Sequence, residues 1–557
     1  MRSRLIGLVL CTASMTSLGM GTAPLAAASP APPGNLAPGH HLPAGTRFYV
    51  PPPARGSVRQ IAQLLGSHQP HEAGLIAAME ATPSAVWLDG ETAAQASEGA
   101  RGEQQADFDV ARQVRTALLG ARLEGAVPVF VAYDIPGRDC SQYSAGGAPS
   151  DAAYDAWIDS IKDALASSAA VVILEPDALA NLPGYCGSAY NAEFPQITDT
   201  TRIQDIAYGV TALEGDPNIS LYLDGGHSAW QAVGNIAEVL VAADVQQAQG
   251  FFLNVSNYQY ATNNVFYGIW VSSCIAYATV NEGVTEAQAL SDASTLVSSN
   301  NGPSGPFSNC PNQYWNGGPA NGYGSTPGTG VAVSPYGVWS ESQANGDLST
   351  AGTDSWYPNY LGATVPSTHF VIDTSRDGQG PNDMEAYYNA PYDQPQSVVG
   401  STPGAQYPDN SPPGGSLQNG NWCNPPSSGL GITPTADTST VANSLDSYLP
   451  AGTPLLDAYL WVKTPGQSDG QCDVAGGVRN WDDSAGTVEA TIPGWPASGT
   501  STFTTFDPLW SIETSSVFTD PAAGAWFPEQ ALQLAEDANP PLSPLFPPTP
   551  HSAPSSR

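Results

Sequence analysis

Three acidic segments of this sequence place a carboxylate just past a run of β-forming residues: VAYDIPGRDC with Asp139, VVILEPDALA with Asp177, and WVKTPGQSDGQC with Asp469. Carboxyl groups converging on a neutral polar substrate suit cleavage of a glycosidic bond, in which one acid protonates the leaving oxygen while another assists water or acts as nucleophile. A single Asp among 51 acidic residues is more often solvated or capping a helix. The assignment therefore depends on the elements that would bring these groups together.

Seven short β-rich runs alternate with helical patterns: SAVWL at 84–88, VPVFVAY at 127–133, AAVVILEP at 169–176, ISLYLD at 219–224, GFFLNV at 250–255, HFVID at 369–373 and LLDAYLWV at 455–462. Val110, Val114 and Leu118 mark one helical face, and Trp157, Ile158, Ile161 and Leu165 mark another. Strand, helix, strand in repetition means parallel strands with crossover helices, in a barrel or a doubly wound sheet. Asp89, Asp139, Asp177, Asp224, Asn254, Asp373 and Asp469 all fall at or just beyond strand C-terminal ends. A barrel gathers such residues on one face, whereas an open sheet converges only those at its switch point, so the expected fold is a distorted parallel (β/α) barrel of about seven strands. Two connections are unusually long. The first, 111 residues from Tyr258 to Thr368, carries a helical pattern near 283–298, and the second, from Gly378 to Asn421, is rich in Gly, Pro and Asp.

A formal net charge of −35 makes nucleic acid and anionic membranes poor partners. Only 12% of residues are charged, yet there are 13 Trp, 23 Tyr and 14 Phe, a balance suited to neutral polar ligands such as sugars. Arg2 and Arg4, an apolar stretch from Leu5 to about Leu18, and Ala26-Ala27-Ala28 have the layout of a secretory signal peptide at 1–28, so the chain is expected to be secreted. No later segment has about 18 consecutive apolar residues, which predicts a soluble mature protein without a membrane partner. A Pro/Ala-rich linker at 29–45 and a Pro/Ser-rich tail at 543–557 flank a catalytic unit at 46–542. Beyond Cys11 in the signal, six cysteines remain: Cys140, Cys186, Cys274, Cys310, Cys423 and Cys472. In an exported chain an even number argues for three disulfides, with fifteen pairings open to counting. No CxxC pair and no His at ligand spacing suggests a metal, and no cofactor is expected.

VAYDIPGRDCSQYSAGG (131–147) and VVILEPDALA (171–180) closely resemble the two signatures of glycoside hydrolase family 6, the cellobiohydrolases and endoglucanases acting on β-1,4-glucan. Further similar stretches are FYV at 48–50, AVWLD at 85–89, LYLDGGH at 221–227, GFFLNVSNY at 250–258, HFVIDTSR at 369–376, NWCNPP at 421–426 and WVKTPG at 461–466. The resemblance runs from about Arg47 to Leu542 and implies a seven-stranded distorted barrel and hydrolysis with inversion at the anomeric carbon.

It implies Asp177 as general acid, Asp139 as the acid that supports its proton and organises water, Asp224 as a third carboxylate and Asp469 as the proposed base, with water relayed through Asp139 the competing proposal. Tyr133 matches the tyrosine that presses on the reacting ring. Trp87, Trp230 and Trp422 match platforms on which sugar C–H faces stack, and Asp89, His227, Asn254, Asn257 and Lys463 fall among the substrate-binding positions. Gln467 stands where many members have Glu, and Val233 where some carry a second Trp. The resemblance also implies the bridges Cys140–Cys186 and Cys423–Cys472, which leaves Cys274 with Cys310 inside the first long connection.

Long loops over the C-terminal face would turn a cleft into a tunnel, so the expected activity is that of a monomeric cellobiohydrolase releasing cellobiose from non-reducing ends of cellulose. An endoglucanase with an open cleft is the alternative. A non-catalytic glucan-binding protein would be marked by loss of Asp177 or Asp139, and both are present. DTSRDGQGPND and SDGQCD do not spell an EF-hand loop, which argues against a calcium-binding surface protein.

Overall fold

The computed structural model describes residues 42–89, 110–294, 302–314, 333–341, 348–382, 422–438, 448–449, 455–473, 492–495 and 506–546. The signal segment, the linker up to residue 41, the tail from residue 547 and most of the second long connection, 383–421, lie outside the described residues.

All seven expected strands form: β1 Val86–Asp89, β2 Val129–Tyr133, β3 Ala170–Leu174, β4 Ile219–Asp224, β5 Gly250–Leu253, β6 His369–Asp373 and β7 Leu456–Leu460. They pair in parallel in the order β1-β2-β3-β4-β5-β6-β7. A doubly wound sheet reverses its order at a switch point, and this one never does. The sheet instead curls until its edges meet. There the Ala85 N–H donates to the Trp461 carbonyl at 2.9 Å and the Trp87 indole N–H to the Val462 carbonyl at 2.8 Å. These two bonds close the seam in place of a ladder.

Alternation along the strands divides the core in two, as the two-residue period of a strand requires. Val129, Val131, Tyr133, Val171, Ile173, Tyr222, Phe252, Val371 and Leu460 fill the barrel interior. Phe130, Ala132, Val172, Leu174, Leu221, Leu223 and Ile372 face the surrounding helices. The latter include α1 Arg55–Gly66, α2 Pro70–Glu80, α3 Val110–Glu124, α4 Asp151–Leu165, α5 Asp199–Leu213, α6 Val233–Ala242 and α7 Ala261–Ala276. Helix α4 starts where the Ser150 hydroxyl accepts the Ala153 N–H at 3.3 Å, and α5 starts in a capping box between Thr198 and Thr201. Ile158 and Ile161 of α4 are fully buried, each contributing about 1.5–3 kcal/mol of apolar burial.

The first long connection leaves the end of α7 and forms a helix, α8, over Glu286–Ala293, and residues 295–298 of the helical pattern read near 283–298 lie outside the described residues. It then runs back along α6: the Ser304 N–H donates to Glu238 at 3.1 Å, the Gln313 amide to the Gln231 carbonyl at 2.9 Å and the Tyr314 hydroxyl to the Trp230 carbonyl at 2.9 Å. Residues 333–341 meet the start of α7, where Trp339 N–H donates to Asn263 at 2.8 Å. The segment then descends beside α7, where Asn281 donates to the Tyr360 carbonyl at 2.7 Å. The described part thus lies on the flank of α6 and α7 and reaches the C-terminal face at Trp230. Its remaining stretches, 295–301, 315–332 and 342–347, lie outside the described residues.

Candidate active site

Left-handed backbone in non-glycine residues gathers at the strand C-terminal ends: Asp139 (φ 57°), Cys140 (46°), Glu175 (53°), Asp177 (67°), Asn254 (68°), Asn424 (40°) and Cys472 (49°). Such strain collects where a site must aim side chains against local preference. Asp177, half-buried just past β3, is the centre of the carboxyl cluster. Burial, then the charges of Asp224 and Asp139, push its carboxyl well above the usual range, although Lys463 opposes them.

Asp224 ends β4 and takes the backbone amides of Leu179 (3.0 Å) and Ala180 (2.8 Å) on one oxygen and that of Gly226 (3.0 Å) on the other. It therefore pins the turn that presents Asp177. Burial raises its carboxyl to about 6 despite these donors. Asp139 accepts the Ser144 N–H at 2.6 Å, and burial together with the charge of Asp469 outweighs this bond and Arg138 to bring it to about 6.

Asp469 is the opposite case. Its Oδ1 is 3.0 Å from Lys463 Nζ, and its Oδ2 is 2.8 Å from Arg376 Nη1 while accepting the Asn424 N–H at 3.0 Å and the Tyr258 hydroxyl at 3.3 Å. Burial alone would raise it, but Arg376 and Lys463 prevail and hold it at about 2. Arg376 is itself fully buried, lies 4.3 Å over the Tyr258 ring and donates to the Ser256 carbonyl. Arg376, Tyr258 and Asn424 sit in motifs recognised in the sequence without a role being read for them, and the structure makes all three partners of Asp469.

Tyr133 meets Trp87 edge-on at 5.4 Å, with Arg138 stacked 4.5 Å from its ring centroid. Lys463 Nζ lies 6.0 Å from the Trp87 ring, so Trp87, Tyr133, Lys463, Asp139, Asp177 and Asp469 form one constellation. Asp89 stands at its edge, its carboxyl raised by burial and opposed by Arg138. His227 lies 5.5 Å from Trp230, and burial lowers its imidazole to about 3, which keeps it neutral. Its Nδ1 accepts the Ala229 N–H at 3.2 Å, leaving Nε2 to carry the proton. Trp422 packs on the Cys423–Cys472 bridge, and Gln467 is half-buried in a backbone bridge with Trp526. Val233 is fully buried at the start of α6, so that position serves the core.

One position, Asn254, differs from the substrate-binding reading. Asn254 is fully buried: its amide donates to the carbonyls of Gln259 (3.1 Å) and Asp373 (3.0 Å), and its oxygen accepts the Gln259 N–H (3.0 Å). Its donors and acceptor are spent on the backbone after β5. The Asn257 amide turns to the Val255 carbonyl at 3.0 Å, in the same loop. Asp373 acts similarly, its carboxylate accepting the backbone amides of Ser256 (3.1 Å), Ser375 (2.9 Å), Val462 (3.0 Å) and Lys463 (2.9 Å).

All three expected disulfides are present: Cys140–Cys186, Cys274–Cys310 and Cys423–Cys472. The first and third brace loops that bear Asp139 and Asp469. Gly470 (φ 146°) lies between Asp469 and Cys472, where a Cβ would come within 2.4 Å of the Tyr143 ring. Among the described residues one trio could hold a metal by distance, Cys472, Asp507 and Asp520, but that cysteine sulfur is already bonded to Cys423. No helix among the described residues is long and apolar enough to cross a membrane.

The family model for glycosyl hydrolases family 6 matches residues 43–538, and the chain belongs to that family. The chain is 32% identical to endoglucanase A of Thermobispora bispora over 255 residues, 44% of this chain and 51% of that protein. It thus spans about half the length of that relative. It is 26% identical over 511 residues, 89% of this chain and 77% of the other, to a probable 1,4-β-D-glucan cellobiohydrolase C of Aspergillus niger. Among solved structures it is similar to an endoglucanase of Mycobacterium tuberculosis, at 25% identity and TM-score 0.46, covering 91% of this chain and 99% of that one.

Proposed function

We propose that this protein is a secreted, monomeric cellulase that hydrolyses β-1,4-glucosidic bonds with inversion and releases cellobiose from the non-reducing ends of its chains. The observation that carries the reading is Asp177, a carboxyl pushed well above the usual range by burial and two neighbouring acids at the mouth of a barrel. It donates its proton to the glycosidic oxygen as the C–O bond breaks, while water attacks the anomeric carbon from the opposite face. A base works best with a pKa near the working pH. Asp469, doubly ion-paired and held at about 2, suits the role poorly, which favours relay of the water proton to Asp139, at about 6. Asp469 then serves to fix Lys463 and Arg376. Trp87 and Tyr133 lie where a sugar ring would be gripped.

Exo action is supported by the length of the connections after β5 and β6 and by the similarity over most of the chain to proteins named cellobiohydrolases. Endo action is the second reading, favoured by the higher identity to endoglucanase A over the shorter span. A time course on cellohexaose and acid-swollen cellulose, with products resolved by length and anomeric form followed by NMR, tests both. Cellobiose as the dominant early product, released as the α-anomer, supports the proposal. A broad oligomer mixture with rapid viscosity loss selects the endo reading, and no product rejects catalysis.

A further inference from the structure

Glu175 stands two residues before Asp177 and is fully buried. Its N–H donates to the Ala132 carbonyl at 2.9 Å, extending the β2–β3 ladder by one step before its own left-handed backbone turns β3 away. The Glu175 side chain then does what the departing backbone no longer can. Its Oε1 accepts the Asp134 N–H at 2.9 Å, and its Oε2 accepts the N–H groups of Asp134 and Ile135, both at 3.1 Å. These amides open the loop that leads to Asp139. The same loop is held from two other sides, by the Ala148 N–H on the Asp134 carbonyl at 2.7 Å and by Arg202 on the Pro136 carbonyl at 2.8 Å. Tyr154 of α4 buries its hydroxyl beside Glu175. The segment Glu175-Pro176-Asp177 therefore sends one carboxyl into the helix layer and the other to the barrel mouth.

We propose that Glu175 is a positioning residue that fixes the placement of Asp139 relative to Asp177 by clamping the ends of β2 and β3 where their backbones part. The proposal rests on the reading of Asp177 and Asp139 as the proton-handling pair. Two buried N–H groups would be left without acceptors in Glu175→Ala, and the Asp139 loop would lose its register against the acid. Glu175→Gln keeps one acceptor oxygen, which from the Oε2 position can take both amides, whereas Glu175→Asp is one methylene too short.

The test compares kcat and KM of the full-length variants on cellotetraose and on 2,4-dinitrophenyl cellobioside, whose leaving group departs without general-acid help. Displacement of catalytic groups by about 1 Å costs about 100-fold in rate, so Glu175→Ala and Glu175→Asp are expected to lose about 100-fold in kcat on cellotetraose, with KM changed less than about threefold. The dinitrophenyl substrate still needs water activated through Asp139, so its kcat should fall as well, and Glu175→Gln should retain at least about a third of wild-type kcat on both substrates. An unimpaired kcat on the dinitrophenyl substrate beside a loss on cellotetraose, or wild-type kcat in the alanine and aspartate variants, would overturn the proposal. If Glu175→Ala does not fold, the contrast between the aspartate and glutamine variants decides it. Asp177→Asn run in parallel separates the two levels of inference: full turnover there removes the acid assignment, whereas its inactivity beside an unimpaired Glu175→Ala removes only the clamp.

Discussion

Glu238 lies in the middle of α6, fully buried, with one carboxyl oxygen on the Ser304 N–H at 3.1 Å and the other without a hydrogen-bond partner. Burial, reinforced by Asp292 and opposed by Ser304, pushes its carboxyl from 4.5 to about 8. The folded chain therefore keeps a proton that the unfolded chain releases above about pH 4.5, and folding stability falls as the pH climbs from there toward 8. Each pH unit inside that window costs up to about 1.4 kcal/mol, so the penalty from this one group grows by about 3 kcal/mol between pH 5 and pH 8. Glu238→Gln cannot titrate. Its oxygen can keep the Ser304 bond, but its NH₂ group occupies the unpartnered position at a pH-independent cost of about 1 kcal/mol. The two stability curves should cross: wild type ahead by a fraction of a kcal/mol near pH 5, the variant ahead by about 2–3 kcal/mol at pH 8. Urea unfolding followed by tryptophan fluorescence at the two pH values, disulfides intact, measures the difference. A difference between wild type and variant that stays constant across the range would refute the reasoning, because only a titrating group can produce the crossing.

Asp177→Asn should lower kcat on cello-oligosaccharides by about 10²–10⁴-fold while leaving oligosaccharide affinity, read by calorimetry, near wild type. Asp139→Asn removes a negative charge that raises Asp177, so the alkaline limb of kcat/KM, where the acid loses its proton, should move to lower pH by about one unit; an unmoved limb rejects the coupling. Replacing Cys274 and Cys310 together by serine should cost about 2–4 kcal/mol in unfolding experiments and leave kcat on cellotetraose unchanged, since the bridge closes the connection on the α7 flank.

Most of the seven strands were legible because they are buried on both faces and read as short apolar runs, six of which end at or beside an acid or an amide. ISLYLD and HFVID, for example, coincide with β4 and β6 to the residue. The carboxyls at those ends were legible for the same reason, since the barrel face is defined by where the runs stop. The partners of the carboxyls were not. Asp469 meets Arg376 across 93 residues, Tyr258 across 211 and Asn424 across 45, and no local period records which loop ends will touch. Asn254 illustrates the converse. A polar residue after a strand reads as a binding group, yet here a left-handed turn must be satisfied inside the fold, and the amide is consumed in doing so.

The contrast between Asp469 and Asp177 shows what those hidden partners decide. Both are aspartates past the end of a parallel strand, and both face the same cluster. Residue type and place after a strand alone would give them interchangeable chemistry. Only 16 of 557 residues are Lys or Arg, and Arg376 and Lys463 are both directed at Asp469. That choice holds one carboxyl low, while burial and like-charged neighbours push the other well above the usual range. The placement of two cations thus separates the two carboxyls, and moving either cation would alter that separation without changing any carboxylate.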